Sequence, residues 1–243
     1  MAKFCEKCGK PLVDGNCENC SSSAVETITT TKTSNNGGFD FSKLVSMLKD
    51  TFTRPIDLIK EESHENNFGL AWILLAISAV SMGLFFMALC KTLYSSFMSM
   101  MGLGSMYSSL SSMAGYNAEI PYFRIFIVVA IVYVVMALLF SGLITLFFGK
   151  VFKGNITFKK AFTMYQVAGI IMIVGYLAGA ILSLVSFQIG FIVFLVTGVL
   201  NFVYLIGGLS QVSGVNKNLI GYSYLSVMAS AYLILFIFSK LFS

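Results

Sequence analysis

The sequence predicts an all-α polytopic membrane helix bundle of about five transmembrane helices, preceded by a small N-terminal β-hairpin zinc ribbon. Three observations predict it. Of the 243 residues, 57% are hydrophobic and only 11% charged, against about 25% charged in a soluble domain. The apolar residues gather in five long runs, and no acidic residue follows Glu119. Four of the five cysteines lie within the first twenty residues as two Cys-x-x-Cys pairs.

The cysteine pairs are Cys5–Cys8 and Cys17–Cys20. Structural zinc takes four ligands in a tetrahedron, and two such knuckles supply four thiolates. Asp14-Gly15 between them suits a hairpin turn, and Gly9 frees the backbone after the first knuckle. So short a segment has almost no core, so the metal supplies most of its folding free energy. The expectation is a closed, structural site with Cys5, Cys8, Cys17 and Cys20 as ligands; iron in the same thiolate set and a redox dithiol are the alternatives. The N-terminus has no apolar signal-peptide core, which predicts a cytoplasmic tail where structural disulfides are disfavoured.

Residues 21–38 are rich in Ser, Thr, Asn and Gly and read as a flexible linker, because they bury too little apolar surface to offset their ordering entropy. Residues 39–67 read as an amphipathic juxtamembrane segment. Phe41, Leu44, Val45, Leu48 and Phe52 recur at helical spacing, and Pro55 is expected to end or kink that helix. The membrane domain covers 68–243, with spans at about 68–90, 122–149, 161–186, 189–209 and 219–241. Each run reaches the roughly 20 residues that cross a hydrocarbon core. Helices are required there because lipid offers the backbone no hydrogen-bond partner. The third and fourth runs are separated only by Phe187 and Gln188, which predicts a tight helical hairpin.

Lysine and arginine set the orientation. Lys43, Lys49, Arg54, Lys60, Lys150, Lys153, Lys159, Lys160 and Lys217 fall on one side; only Lys91, Arg124 and Lys240 fall on the other. With five spans this places the N-terminus in the cytoplasm and the C-terminus outside, with Trp72 as an interfacial anchor. The net charge of +5 therefore fits a membrane surface rather than nucleic acid, and no nucleic-acid partner is expected. The segment 92–121 is rich in Ser, Met and Gly and uncharged until Glu119; it is expected to lie against the membrane surface.

Within the spans no ionisable residue sits at mid-depth, where one would mark a transport or proton path. Arg124 begins the second span and snorkels to the interface. Gln166 and Asn201 are polar, and Asn201 is expected to hydrogen-bond a neighbouring helix. Gly175-Tyr-Leu-Ala-Gly179 is a GxxxG face that serves either a homo-oligomer or packing of spans within one chain; five available spans favour the second. His64 beside Glu61, Glu62 and Glu65 reads as a solvated charge cluster, and Cys90 as a small apolar residue. Peptide hydrolysis requires a Ser–His pair, paired aspartates or a zinc motif, and none fits one histidine outside the spans. A nucleotide-binding Gly-rich loop is absent as well.

Residues 4–20 resemble the short zinc ribbons that begin many bacterial and archaeal membrane proteins, with Ser21 where a second glycine is usual. The remainder resembles the Yip-domain family of five-span membrane proteins. Phe52-Thr-Arg-Pro55 with Ile56-Asp-Leu-Ile-Lys60 is similar to the family's segment before the first span. Gly149 to Phe162 is similar to its loop before span three, and Leu209 to Lys217 to its loop before span five. The proline common early in span three is missing here. The resemblance implies a five-span topology and points to membrane organisation, since eukaryotic relatives interact with small GTPases and shape or sort vesicle membranes, whereas prokaryotic ones mostly lack an assigned activity. The expected location is a prokaryotic cytoplasmic membrane. The expected function is a non-enzymatic adaptor or membrane-organising protein whose partners are the lipid bilayer and a protein recruited by the ribbon. The alternative is a transporter or permease-like subunit.

Overall fold

The computed structural model describes residues 41–100 and 121–241. The proposed zinc ligands Cys5, Cys8, Cys17 and Cys20, the linker and most of the Met-rich segment lie outside the described residues. Regular structure among the described residues is helical throughout: α1 (Phe41–Thr53), α2 (Pro55–Glu62), a 3₁₀ turn (Glu65–Asn67), α3 (Phe68–Met100), α4 (Tyr122–Ile144), a π-helical stretch (Thr145–Val151), α5 (Phe158–Ala168), α6 (Ile170–Val185), α7 (Phe187–Val212), a second 3₁₀ turn (Lys217–Leu219) and α8 (Ile220–Leu241).

Four helical stretches among these residues are long and apolar enough to cross a bilayer: Glu65–Phe97, Tyr122–Val151, Phe158–Val185 and Phe187–Val212. The fifth apolar run also forms a helix, the 22-residue α8. Pro55 falls at the first position of α2, where its missing N–H costs nothing and its fixed φ suits the helix; α1 therefore ends just before it. The first span is longer than its apolar run. Residues 91–100 contain neither Gly nor Pro, so the helix continues past Lys91 to Met100.

The third span is the centre of the bundle. In its most apolar window 56% of residues are buried, against 17% in the Tyr122–Val151 and Phe187–Val212 spans. Its helix is interrupted at Gly169 (φ −72°, ψ −5°), which separates α5 from α6. There the Met172 N–H donates to the Gly169 carbonyl at 2.9 Å, a three-residue step that tightens the ladder. α3 lies beside α6 and packs Phe85 against Tyr176 and Phe194 at ring distances of 6.1 and 5.3 Å. Tyr133 of α4 meets Tyr176 edge-on at 6.3 Å. This cluster joins four helices through offset and edge-to-face contacts, the arrangements that aromatic quadrupoles prefer.

The α6–α7 connection is tighter than the two residues expected. Ser186 alone is extended (φ −153°, ψ 125°), and α7 begins at Phe187. The glycine face of α6 is occupied within the chain. A Cβ added at Gly175 would overlap Thr197 of α7, and one at Gly179 would stand 2.9 Å from Phe85 Cε2 of α3. Gly190 of α7 completes the fit, since a Cβ there would lie 2.8 Å from the Gly179 carbonyl oxygen. Small residues let these backbones approach where lipid gives helices no hydrophobic reason to associate. The intramolecular alternative is the one found, and a homo-oligomer does not have the Gly175/Gly179 face free in this arrangement.

Two polar residues of the spans leave buried atoms without a partner among the described residues. Asn201 makes no interhelical bond through Oδ1, which is buried without a partner among the described residues. Gln166 is 1% exposed, and neither of its amide atoms finds a partner there. An unsatisfied buried amide costs about 1–3 kcal/mol. Replacing Gln166 by Met, of similar length and without the amide, should raise thermal stability in detergent. A lower melting temperature for Gln166→Met would show that the amide is bonded, through ordered water or otherwise.

Candidate functional site

The three passages that set this chain apart from a generic helix bundle converge at one end of it. That end carries the amino termini of α3, α5 and α8 and the carboxyl termini of α4 and α7. All the acidic residues among the described ones lie there, from Asp50 to Glu65. With them are nine of the twelve basic residues described, the others being Lys91, Arg124 and Lys240.

The first passage is the α1–α2 pair. Arg54 at its corner reaches Asp50 at 3.0 Å and Glu61 at 3.2 Å, and the hydrogen bond to Asp50 and these two charges push the Arg54 pKa further up. Lys43 meets Glu62 Oε2 at 2.8 Å, and Asn67 Nδ2 donates to the same oxygen at 2.8 Å. Glu62, at 18% side-chain exposure, thus ties α1, α2 and the entry to α3 together. Exposed ion pairs contribute little alone, about 0–1 kcal/mol; a half-buried carboxylate with two donors holds geometry better. Around His64, as elsewhere among the described residues, no three His, Cys, Asp or Glu side chains are placed to hold a metal ion together. Glu65 instead accepts from the Thr157 hydroxyl at 2.6 Å, which links the first span to the cap of α5.

The second passage is the reversal between α4 and α5. The α4 ladder widens into a π-helix over Thr145–Val151. The Phe152 N–H donates to the Phe147 carbonyl at 2.8 Å, and the Gly154 N–H to the Phe148 carbonyl at 2.8 Å. Lys153 sits between them with φ of 54°, a left-handed conformation that costs a side chain with Cβ about 1–2 kcal/mol. The third passage, at the end of α7, docks onto this reversal: the Asn155 N–H donates to the Ser213 carbonyl at 2.7 Å. Gly154 makes the approach possible. A Cβ there would overlap the Phe148 carbonyl oxygen and stand 2.5 Å from that of Ser213.

The first passage reaches the third through packing. Ile56 and Ile59 of α2 seat against Gly207 and Gly208 of α7, and Ile59 is 1% exposed. Sequence reasoning did not single out this glycine pair, although two adjacent glycines in an apolar run signal close approach. The stripe on α1 also behaves differently from a packing face. Met47 and Thr51 are buried and Leu44 partly so, whereas Phe41, Val45, Leu48 and Phe52 are exposed. Trp72, 43% exposed, meets the Phe162 ring at a tilt with centres 5.1 Å apart, and Lys159 lies 5.9 Å from the Phe68 ring centre. Lys150, Lys153 and Lys217 make no ion pair among the described residues. Cys90 is a free, half-buried thiol at the other end.

Three substitutions test the junction. Gly154→Ala should destabilise the protein by about 2 kcal/mol or more, since both obstructing atoms are backbone. Gly198→Ala, whose Cβ meets nothing within 4 Å, should stay within about 1 kcal/mol of the parent. Lys153→Gly relieves the left-handed strain and should stabilise by about 1 kcal/mol. Thermal unfolding in a single detergent reads all three, and equal melting temperatures for Gly154→Ala and Gly198→Ala would show that the junction does not hold the fold together.

No curated protein and no solved structure matches the chain. The Yip1 domain family model matches residues 49–238, well over half of the length, from the second half of α1 through the end of α7 and into α8; the chain belongs to the Yip1-domain family of membrane proteins.

Proposed function

We propose that this protein is a non-enzymatic membrane adaptor that organises the bilayer around it and recruits a protein partner at its charged end. The observation that carries this reading is the junction of α1–α2, the 152–157 reversal and the end of α7. It is a cross-linked surface that presents Lys150, Lys153 and Lys217 outward, with the exposed stripe Phe41, Val45, Leu48 and Phe52 beside it. A surface held by backbone bonds is pre-organised, and binding to it loses little conformational entropy. The stripe suits the headgroup boundary, where an amphipathic helix buries its apolar side.

In this reading the charged end faces the cytoplasm by the lysine bias, α8 is the fifth span, and the C-terminus lies outside. The four cysteines hold one structural zinc, and the folded ribbon contributes the second half of the partner surface. Transport is the weaker reading, because no charged residue stands at mid-depth in the spans.

Elemental analysis of the full-length protein beside a variant with Cys5, Cys8, Cys17 and Cys20 changed to Ser should give one zinc per chain, lost in the variant. In a cysteine-free background, single cysteines at positions 34 and 243 should label from opposite sides of intact cells. A photo-crosslinker at Lys153 should trap a cytoplasmic protein in the parent and not in a chain lacking residues 1–38. Unchanged crosslinks in the truncated chain would end the recruitment reading, and labelling of both ends from one side would end the five-span topology.

A further inference from the structure

The end of the bundle opposite the junction carries a feature of its own. A cleft of about 450 Å³ opens along the seam between α3 and α6. Leu84 of α3 and Leu177, Ile181 and Leu184 of α6 form its apolar walls, and Lys91 of α3 and Tyr122 of α4 supply its polar groups. The depth of these residues follows from helix geometry. From Phe68 to Lys91 a helix rises about 35 Å at 1.5 Å per residue, slightly more than the roughly 30 Å of a hydrocarbon core. Lys91 therefore stands at the far interface. Leu84, two turns earlier, stands about 10 Å inside the hydrocarbon. The cleft is an apolar trough that ends in a cation at the level of lipid headgroups.

That cation has no internal counter-charge among the described residues. Every acidic side chain described lies between Asp50 and Glu65, at the other end, and Lys91 enters none of the ion pairs. It is exposed, while its neighbours in the cleft are hydrocarbon. A lysine at the interface keeps its head in the polar layer and lays its stem on apolar surface, and Tyr at that level presents a hydroxyl outward from an apolar ring. The complement of such a site is a molecule with an anionic head and a hydrocarbon tail. We propose that this cleft binds an anionic phospholipid from the leaflet on that side, its phosphate on Lys91 and the Tyr122 hydroxyl and one acyl chain along the α3–α6 seam. A zwitterionic lipid has the same tail, but its ammonium group cancels the attraction to Lys91. The site therefore selects by net headgroup charge.

Native mass spectrometry of the full-length protein, released from mixed micelles of phosphatidylglycerol and phosphatidylcholine, tests this. The parent should retain phosphatidylglycerol about fivefold over phosphatidylcholine, the preference that one interfacial lysine gives. Lys91→Gln should abolish the preference, and Lys240→Gln, at the same end on α8, should keep it. Ile181→Trp fills the trough while leaving Lys91 in place, and should lower retention of both lipids. A photoreactive acyl chain should label α3 and α6 peptides ahead of those from α7. Undiminished preference in Lys91→Gln, or labelling spread evenly over the bundle, would overturn the proposal. So would crosslinks from Ile181 to residues 101–120 or to a second copy, either of which would be the true occupant of the cleft.

Discussion

The arrangement of this protein depends on a single close approach of backbone to backbone. The reversal between α4 and α5 and the end of α7 meet through Asn155 and Ser213 at 2.7 Å, with Gly154 held between two carbonyl oxygens. In lipid, apolar side chains do not drive helices together, because the solvent is as apolar as they are. What orders the spans is the geometry of their connections and the depth to which small residues let them approach. Closing two reversals onto each other fixes the ends of α4, α5 and α7 at once, and Ile59 against Gly208 adds α2 to the same point.

Much of this was legible in the sequence, and for definite reasons. Apolar runs of sufficient length give helices because the backbone has no alternative in hydrocarbon, so the helical class and the position of each apolar run were readable. Pro55 marked a boundary because its ring permits only the first turn of a helix. The passages around Arg54, Gly149 and Ser213 stood out as patterns, and the fold gives the reason: they touch one another. What the sequence concealed depends on neighbours. Periodicity alone does not tell whether the stripe from Phe41 to Phe52 faces protein or its surroundings. The GxxxG face was readable as a close-approach surface, but its partner, Thr197 on α7, appears only when the hairpin closes. Gln166 looked like one polar residue among several until α5 proved to be buried on nearly every side.

Strain is distributed unevenly along the chain. The charged end carries the left-handed Lys153 and the π-helical turn, while buried polar atoms without described partners occur both there, at Ser63 Oγ, and in the middle of the bundle, at the amide of Gln166 and Oδ1 of Asn201. A π-helical turn is rare, and such turns gather where a protein does its work. A lysine in a conformation better suited to glycine points the same way, because strain persists only where the surrounding structure over-determines it.

The one-residue turn at Ser186 bears on how the chain enters a membrane. From Val185 to Gln188 the connection is Val-Ser-Phe-Gln, without a single charge, so carrying it across the bilayer transfers no ion through hydrocarbon. Nor does it extend far enough to act as a domain on either side. The α6–α7 pair is therefore electrically silent at its tip. The nearest anchoring cations lie at its far ends, Lys150 to Lys160 ahead of it and Lys217 behind. Charges grafted onto the tip would compete with those anchors for control of insertion.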